Sequence, residues 1–274
     1  MSTSPVDFDY LRAVVMRNSG NQVDASRDYL FESRLQRVLR ARGLQSLQQL
    51  IAALRADGTP ALQRSVAEAM TINETSFFRD GAAFDHLREH LLPACIERRR
   101  ATRVLRFWSA ASSSGQEAYS LAILLREHFP QLAGWRIDIL GTDISFEMVE
   151  RATAGRYQRI EINRGLPARM LLKYFLRTGD EWEVVPDLKR LCRFQQRNLC
   201  LPPSLVETFD IIFLRNVMIY FSQETRHQVL HTIHRSLARD GSLFLGVGEQ
   251  PRMDSHWEPV LSPKAVWYRP LAAR

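Results

Sequence analysis

The feature that most constrains the fold is an alternation, from about residue 101 onward, between short apolar runs and helix-like segments. The apolar runs are VLRFWSA (104–110), RIDILGTD (136–143), DIIFLRN (210–216) and SLFLGVGE (242–249). Strand-like runs that alternate with helices are typical of a mostly parallel sheet covered by helices on both faces. The sequence therefore predicts an α/β fold for this region.

Residues 156–197 interrupt the alternation. KYFLR (173–177), EWEVVP (181–186) and RLCRFQQ (190–196) look like short strands, and Thr178-Gly179-Asp180 is a turn signal between the first two. We interpret about 156–197 as a small antiparallel β insertion.

The first 70 or so residues lack strong strand runs and show helical spacing, with glycines at 20, 43 and 58 as expected helix ends. The predicted domain organisation is a helical N-terminal domain over 1–72 and an α/β domain over 73–274.

Composition narrows the classes of function. The chain has 274 residues, 45% of them apolar, which is enough to bury a sizeable core. The net charge of +7 attracts phosphates and acidic partners alike, but no RNP, zinc-finger or basic-region pattern is present, so nucleic acid is not the expected partner. Three separated cysteines without CxxC spacing predict neither a disulfide framework nor a cysteine zinc site.

The N-terminal stretch MSTSPVDFDY has neither the basic nor the apolar region of a secretory signal. No run approaches the roughly 18 apolar residues that a membrane-spanning helix requires. We therefore expect a cytoplasmic protein without membrane insertion.

The stretch FWSAASSSGQEAYS (107–120) occupies the first strand-to-helix turn, where ligands bind in α/β folds. A dinucleotide would require G-x-G-x-x-G, and this turn offers Gly115 alone, so NAD is disfavoured. Small residues still permit a nucleoside without phosphates, Glu117 suits a cationic group, and Asp143 after the second strand suits ribose hydroxyls. S-adenosylmethionine fits these features, although small residues for tight helix packing and Asp143 as a helix cap are the structural alternative.

Five motifs run through the chain in a fixed order. They are NETSFFRD (73–80), WSAASSSGQEAYS (108–120), GTDIS (141–145), NL (198–199) and LRNVMIYF (214–221). Together they closely resemble the chemotaxis-receptor glutamate methyltransferases, the CheR family, across nearly the whole chain. The resemblance implies a Rossmann-like class I fold that uses S-adenosylmethionine, with an all-helical N-terminal domain and a small antiparallel β-subdomain insertion. It also implies methyl transfer to glutamates of receptor helices, without a metal, as part of chemotactic adaptation.

The resemblance, carried over by position, assigns cofactor contacts to Asn73, Thr75, Arg79, Glu117, Asp143, Asn198, Leu199, Arg215 and Asn216. It places Arg79, Arg215 and Tyr220 at the methyl-transfer end as catalytic candidates. Because a glutamate carboxyl has a pKa of about 4.3, the acceptor is already ionised at neutral pH and no general base is required.

Two positions depart from the family pattern. Gln116-Glu117-Ala118 stands where the family usually has two acids and a proline, so the ligand role falls on Glu117. In the final strand, GVGE (246–249) replaces a more usual ending that contains histidine and serine.

The segment LFESRLQRVLRARGL (30–44) suggests a docking surface. One helical face is apolar: Phe31, Leu35, Val38 and Leu39. The flank away from it is basic: Arg34, Arg37 and Arg40. This row suits an acidic helix, and the resemblance implies docking to the methylation helices of methyl-accepting chemotaxis receptors. The alternative is that these arginines only solubilise a surface helix.

The hairpin loop bears on a second receptor contact. Some family members bind the receptor's C-terminal pentapeptide through the β-subdomain. Here Thr178-Gly179-Asp180 replaces the longer glycine-rich connection of those members, so we expect no pentapeptide tethering.

A histidine row in the C-terminal part has the spacing of a metal site. His227, His231 and His234 recur along one side of a predicted helix that starts after Ser222. The opposite face is apolar: Val229, Leu230, Ile233 and Leu237. The histidines are therefore interpreted as a solvated face, and no metal is expected.

Two alternatives stay open. One is another S-adenosylmethionine-dependent methyltransferase, acting on a small molecule or on nucleic acid, although LRNVMIYF lacks the N-P-P-Y-like character expected for a flipped base. The other is a non-catalytic receptor adaptor that senses S-adenosylmethionine or its product S-adenosylhomocysteine. The presence of Arg79, Asp143 and Tyr220 argues against the adaptor.

Overall fold

The structure, a computed structural model, describes residues 4–202, 207–251, 256–261 and 266–271. Internal contacts divide them into two compact units. The helical unit extends to Ile72 and includes Ile219–Gln228, whereas the α/β unit holds Asn73–Met218 and the described residues from Val229 onward. The short segment Ile219–Gln228 thus packs with helices that lie about 150 residues earlier in the chain.

The described residues of the helical unit form α1 (Pro5–Ser19), α2 (Tyr29–Arg34), α3 (Gln36–Ala41), α4 (Leu47–Asp57) and α5 (Pro60–Ala69), with a 3₁₀ turn at Ala25–Arg27. Ser4, Ser46 and Thr59 cap the starts of α1, α4 and α5 with side-chain oxygens, which satisfies N–H groups that have no partner inside a helix. Gly20 ends α1 in the left-handed conformation. The helical prediction for this region is confirmed.

The core of the helical unit contains the predicted apolar face. Phe31, Leu35, Val38 and Leu39 are all buried, together with residues from α1, α4 and α5. The face is not carried by one continuous helix, because α2 ends and α3 begins around Leu35.

The α/β unit alternates strands and helices as predicted. Its described strands are β1 (Val104–Ala110), β2 (Arg136–Asp143), β3 (Arg156–Gln158), β4 (Phe175–Thr178), β5 (Glu181–Val184), β6 (Cys192–Gln196), β7 (Phe209–Leu214), β8 (Leu237–Leu245), β9 (Trp257–Leu261) and β10 (Val266–Pro270). Its described helices are α6 (Gly81–His86), α7 (Leu92–Arg98), α8 (Gln116–His128), α9 (Phe146–Ala154), α10 (Arg159–Ile162), α11 (Ala168–Tyr174), α12 (Pro186–Lys189) and α13 (Gln223–Ser236), the last of which begins in the helical unit.

The described residues also form short helical segments at Leu87–Leu91, Pro130–Leu132 and Met218–Tyr220. No helix within the described ranges is long and apolar enough to cross a bilayer.

The main sheet has the described strand order β6-β2-β1-β7-β8-β10-β9. The strands from β6 to β8 are parallel, and β10 and β9 extend the sheet antiparallel. Ala110 pairs with Thr142 on one side and with Leu214 on the other, so β1, β2 and β7 end at the same edge. This carboxyl edge is where an α/β fold presents its ligand site.

The insertion is smaller than predicted. β3, β5 and β4 form a separate antiparallel sheet, in which a two-residue turn joins β4 to β5. The assignment of RLCRFQQ to this insertion is wrong, because Cys192–Gln196 forms β6 and pairs in parallel with β2. Phe194 occupies the space beside Gly141, where a Cβ atom would lie 2.4 Å from the phenyl ring. A glycine on β2 thus creates the room that β6 fills.

Candidate active site

The turn after β1 has an unusual backbone. Ala111, Ser113 and Gly115 all have positive φ, at 59°, 49° and 91°. The left-handed region is sparsely used by residues with a Cβ atom, so the first two positions are strained. A Cβ atom on residue 115 would lie 2.9 Å from Ala152 Cβ and 3.1 Å from Phe194 Cζ. Glycine is required at this one position because α9 and β6 approach the turn closely there.

Ser113 links the turn to two other motifs. Its N–H donates to Asp143 Oδ2 at 2.8 Å, and its hydroxyl donates to the Asn73 carbonyl at 2.7 Å. The other oxygen of the buried Asp143 carboxylate accepts from Ser145 N at 2.9 Å. These two backbone bonds, one to each carboxylate oxygen, fix the orientation of the Asp143 side chain.

Arg215 is the centre of the charged network. Its side chain is 2% exposed, and Nη1 donates to Glu117 Oε2 at 3.0 Å. Its Nη2 donates to Asp80 Oδ2 at 2.8 Å and to the Arg79 carbonyl at 2.7 Å. Ser109 donates to the other Glu117 oxygen at 2.7 Å. The Arg215 guanidinium, which follows the end of β7, is therefore hydrogen-bonded both to the start of α8 and to the NETSFFRD segment.

Arg79 has a different environment from Arg215. It is half-buried, and its Nη1 donates to the Glu74 carbonyl at 2.9 Å. The Glu74 carboxylate instead pairs with Arg164, which lowers the pKa of Glu74. Arg79 adds a smaller electrostatic contribution to this lowering, although within the described residues it forms no salt bridge with a carboxylate. Thr75 lies half-buried in the same segment.

The end of β6 contributes a further group. Asn198 and the buried Leu199 follow this strand, and Arg197 N donates to the Asp143 carbonyl at 2.8 Å. The Arg197 guanidinium lies 4.6 Å from the centroid of the Trp108 ring, and burial lowers its pKa. The sequence interpretation did not include Arg197, although this residue directly precedes the NL motif.

Asn216 follows Arg215 with a left-handed backbone, φ 58°. Its N–H donates to Glu249 Oε2 at 2.8 Å. The structure thus places Glu117, Asp143, Arg215 and Asn216 at the carboxyl edge of the sheet, and hydrogen bonds join this edge to the backbone of Asn73 and Arg79. The same hydrogen bonds involve Asp80, Ser113 and Glu249, which the sequence interpretation left out.

The remaining candidates belong to the helical unit. The Tyr220 carbonyl accepts from Gln22 N at 2.8 Å, so backbone bonding holds its segment beside the residues that follow α1. Arg34 is half-buried, and its Nη1 donates to the carbonyls of Met70 and Thr71 at 3.0 and 3.1 Å. Arg34 therefore caps the end of α5, which the prediction of a fully exposed arginine row did not anticipate.

Arg37 and Arg40, the other members of that row, are exposed on α3. On α13 the apolar face is confirmed, since Val229, Leu230 and Ile233 are buried; Leu237, also buried, is instead the first residue of β8. The described residues contain no group of three or more His, Cys, Asp or Glu side chains arranged to hold a metal.

The edge of the sheet fits a nucleoside ligand. Ser112 Oγ is buried without a hydrogen-bond partner in the described part of the chain. A Cβ atom on Gly141 would lie 3.0 Å from this hydroxyl, so Ser112 packs closely against the backbone of β2. Together with the carboxylates of the buried Asp143 and the half-buried Glu117, the turn offers acceptors and a close backbone approach but no arrangement of glycines for pyrophosphate.

Two family models together match nearly the whole chain. The CheR methyltransferase, all-alpha domain, matches residues 6–71, and the CheR methyltransferase, SAM binding domain, matches residues 73–266.

Curated relatives agree with these family matches. Chemotaxis protein methyltransferase 1 of Pseudomonas aeruginosa is 35% identical over 98% of this chain and 99% of its own length. Chemotaxis protein methyltransferase Cher2 of Pseudomonas putida is 34% identical over the same shares. Chemotaxis protein methyltransferase of Vibrio parahaemolyticus is 39% identical over 82% of each chain.

These matches and the observed architecture confirm the fold that the five motifs implied, with an all-helical N-terminal domain, a class I methyltransferase domain and a small β insertion. The chain belongs to the CheR family of S-adenosylmethionine-dependent chemotaxis methyltransferases.

Proposed function

We propose that this enzyme transfers the methyl group of S-adenosylmethionine to glutamate side chains of chemoreceptor helices in the cytoplasm, giving methyl esters and S-adenosylhomocysteine. The observation that carries the proposal is the pair of carboxylates, the buried Asp143 and the half-buried Glu117, fixed at the carboxyl edge of the sheet by Ser113 and Arg215.

The cofactor supplies an electrophilic sulfonium methyl group, and the protein supplies its binding site. Asp143 accepts the ribose hydroxyls, and the bonds from Ser113 N and Ser145 N orient its carboxylate for this role. Glu117 faces the cofactor's ammonium group, with Arg215 holding its carboxylate in place. By family resemblance, Asn198 and Leu199 lie at the adenine, and Asn73 and Thr75 complete the cofactor contacts.

Catalysis of this reaction depends more on aligning the methyl group with the acceptor carboxylate than on transferring a proton. The acceptor carboxylate is ionised at neutral pH, so orientation and electrostatics supply the catalysis. The half-buried Arg79 guanidinium can orient an anionic group, either that of the cofactor or that of the acceptor. Arg215 and Asn216 form the turn at the methyl-transfer end, and Tyr220 is assigned there by resemblance alone.

Receptor docking is assigned to the exposed arginines of α3. Arg37 and Arg40 present two positive charges to solvent, which suits an acidic helix and gives attraction that weakens as salt rises. Arg34 contributes through the backbone of α5 that it holds.

We infer that the enzyme recognises receptors without tethering to their C-terminal pentapeptide. A two-residue turn, Gly179–Asp180, joins β4 to β5, so this hairpin lacks the longer loop that would hold a receptor peptide as an added strand. Titration with receptor pentapeptides followed by calorimetry tests this inference. Heat that does not saturate up to millimolar peptide is expected, and saturable micromolar binding would contradict it.

The proposal as a whole is tested by incubating the purified enzyme with radiolabelled S-adenosylmethionine and a receptor cytoplasmic domain. Label on the receptor supports the proposal. Label on nucleic acid or on a small molecule, with the receptor unlabelled, would instead favour another methyltransferase activity. Tight S-adenosylhomocysteine binding without any transfer would favour a sensing adaptor.

A further inference from the structure

The segment GVGE after β8 has no role in the function proposed above, although it lies at the same edge of the sheet. Glu249 in this segment is only 7% exposed. A buried carboxylate loses its hydration and is tolerated only where donors replace the water. The hydrogen-bond donors to the Glu249 carboxylate therefore indicate its structural role.

Those donors lie just after the ends of two neighbouring strands. Glu249 Oε2 accepts from Asn216 N, just after β7, at 2.8 Å, and from Gly246 N, just after β8, also at 2.8 Å. The Glu249 N–H in turn donates to the Gly246 carbonyl at 3.0 Å. One carboxylate oxygen thus joins the ends of β7 and β8.

The geometry of this junction is tight. A Cβ atom on residue 246 would lie 2.6 Å from Glu249 Oε2 and 2.7 Å from Asn216 N, so only glycine fits there. Asn216 has a left-handed backbone, a conformation that asparagine tolerates better than most residues with a Cβ atom. The bond from Asn216 N to the Glu249 carboxylate helps to hold the backbone in this conformation.

We propose that Glu249 is a positioning residue for methyl transfer. It contacts neither cofactor nor acceptor in this assignment. It fixes the backbone of Asn216, and through the preceding peptide it sets the direction in which Arg215 reaches Glu117 and Asp80. The inference rests on the proposed function, since it concerns the turn assigned to the methyl-transfer end.

The test compares Glu249→Gln with a matched variant, Asp210→Asn. Asp210 is similarly buried, at 8% exposed, and also accepts a backbone N–H, from Arg106 at 2.8 Å, but it lies at the opposite end of β7. Each variant is titrated with S-adenosylhomocysteine by calorimetry, and receptor methylation is then expressed per binding-competent molecule. This normalisation removes any fraction that fails to fold.

Glu249→Gln is expected to lower kcat between about tenfold and a hundredfold, as for a small misplacement of reacting groups, with KM for the receptor little changed. Asp210→Asn is expected to retain the wild-type kcat. Gly246→Ala, which displaces the same carboxylate, should reproduce the kcat loss. The inference is overturned if Glu249→Gln turns over like wild type, or if Asp210→Asn loses as much activity. Wild-type turnover in the same assay reports separately on the proposed function.

Discussion

Replacing Arg215 by alanine should lower the free energy of unfolding by about 3–5 kcal/mol, the usual cost of removing one partner of a buried ion pair. The Arg215 side chain is 2% exposed and that of Glu117 is 13% exposed, so solvent screens this pair poorly. Asp80 is 34% exposed, and its pair with Arg215 contributes no more than about 1 kcal/mol. The loss therefore arises mainly from the Glu117 carboxylate, which in the variant keeps the hydrogen bond from Ser109 but loses its partner charge.

Urea denaturation followed by circular dichroism measures this loss. Arg193→Ala is the matched control, because Arg193 also bridges two carboxylates, Asp138 and Glu207, but its side chain is 33% exposed. The control should lose only about 0–1 kcal/mol. An Arg215→Ala variant that loses less than about 1 kcal/mol, or no more than the control, would refute the assignment of Arg215 as the buried centre of the network.

Three further predictions concern the cofactor, the receptor and the turn. Asp143→Asn should weaken S-adenosylhomocysteine binding by about 1–3 kcal/mol in calorimetry, whereas Asp138→Asn at the far end of the same strand should not; equal affinities would contradict the ribose assignment. Replacing Arg37 and Arg40 together by alanine should slow receptor methylation at low salt and flatten its salt dependence while leaving cofactor affinity unchanged, and unaltered low-salt rates would argue against docking. Gly115→Ala should destabilise the protein by about 1–2 kcal/mol or more, since a left-handed alanine is strained and its methyl group would collide with α9; a fully stable variant, judged by thermal unfolding, would show that the turn adjusts.

The sequence predicted the strands that carry the site. VLRFWSA and RIDILGTD match β1 and β2 at both ends, and DIIFLRN differs from β7 by one or two residues at each end. Their success has a physical basis, because a buried parallel strand reads as a continuous apolar run. The apolar-run rule fails for β6, because β6 is an edge strand whose exposed positions are polar. The sequence of β6 alone therefore does not show that it pairs with β2.

The candidate site was less predictable where burial decides a residue's behaviour. Arg34 and Arg215 are both arginines in recognisable motifs, yet one caps α5 through two carbonyls and the other is enclosed by carboxylates. Neither environment follows from neighbours in sequence, since Met70 and Glu117 are 36 and 98 positions away. Glu249 was passed over for the same reason, because its partner Asn216 follows another strand, β7, 33 positions earlier in the chain.

The most direct measurement is the chemical form of the methyl group that the enzyme transfers. After incubation with radiolabelled S-adenosylmethionine and a receptor cytoplasmic domain, the labelled receptor is treated with mild alkali and volatile methanol is collected. A methyl ester of a glutamate side chain hydrolyses under these conditions, so we expect the label to leave the receptor as methanol, and Asp143→Asn to lower the yield. Label that stays on the receptor through alkali would show transfer to nitrogen or to another stable position, and would contradict glutamate methylation.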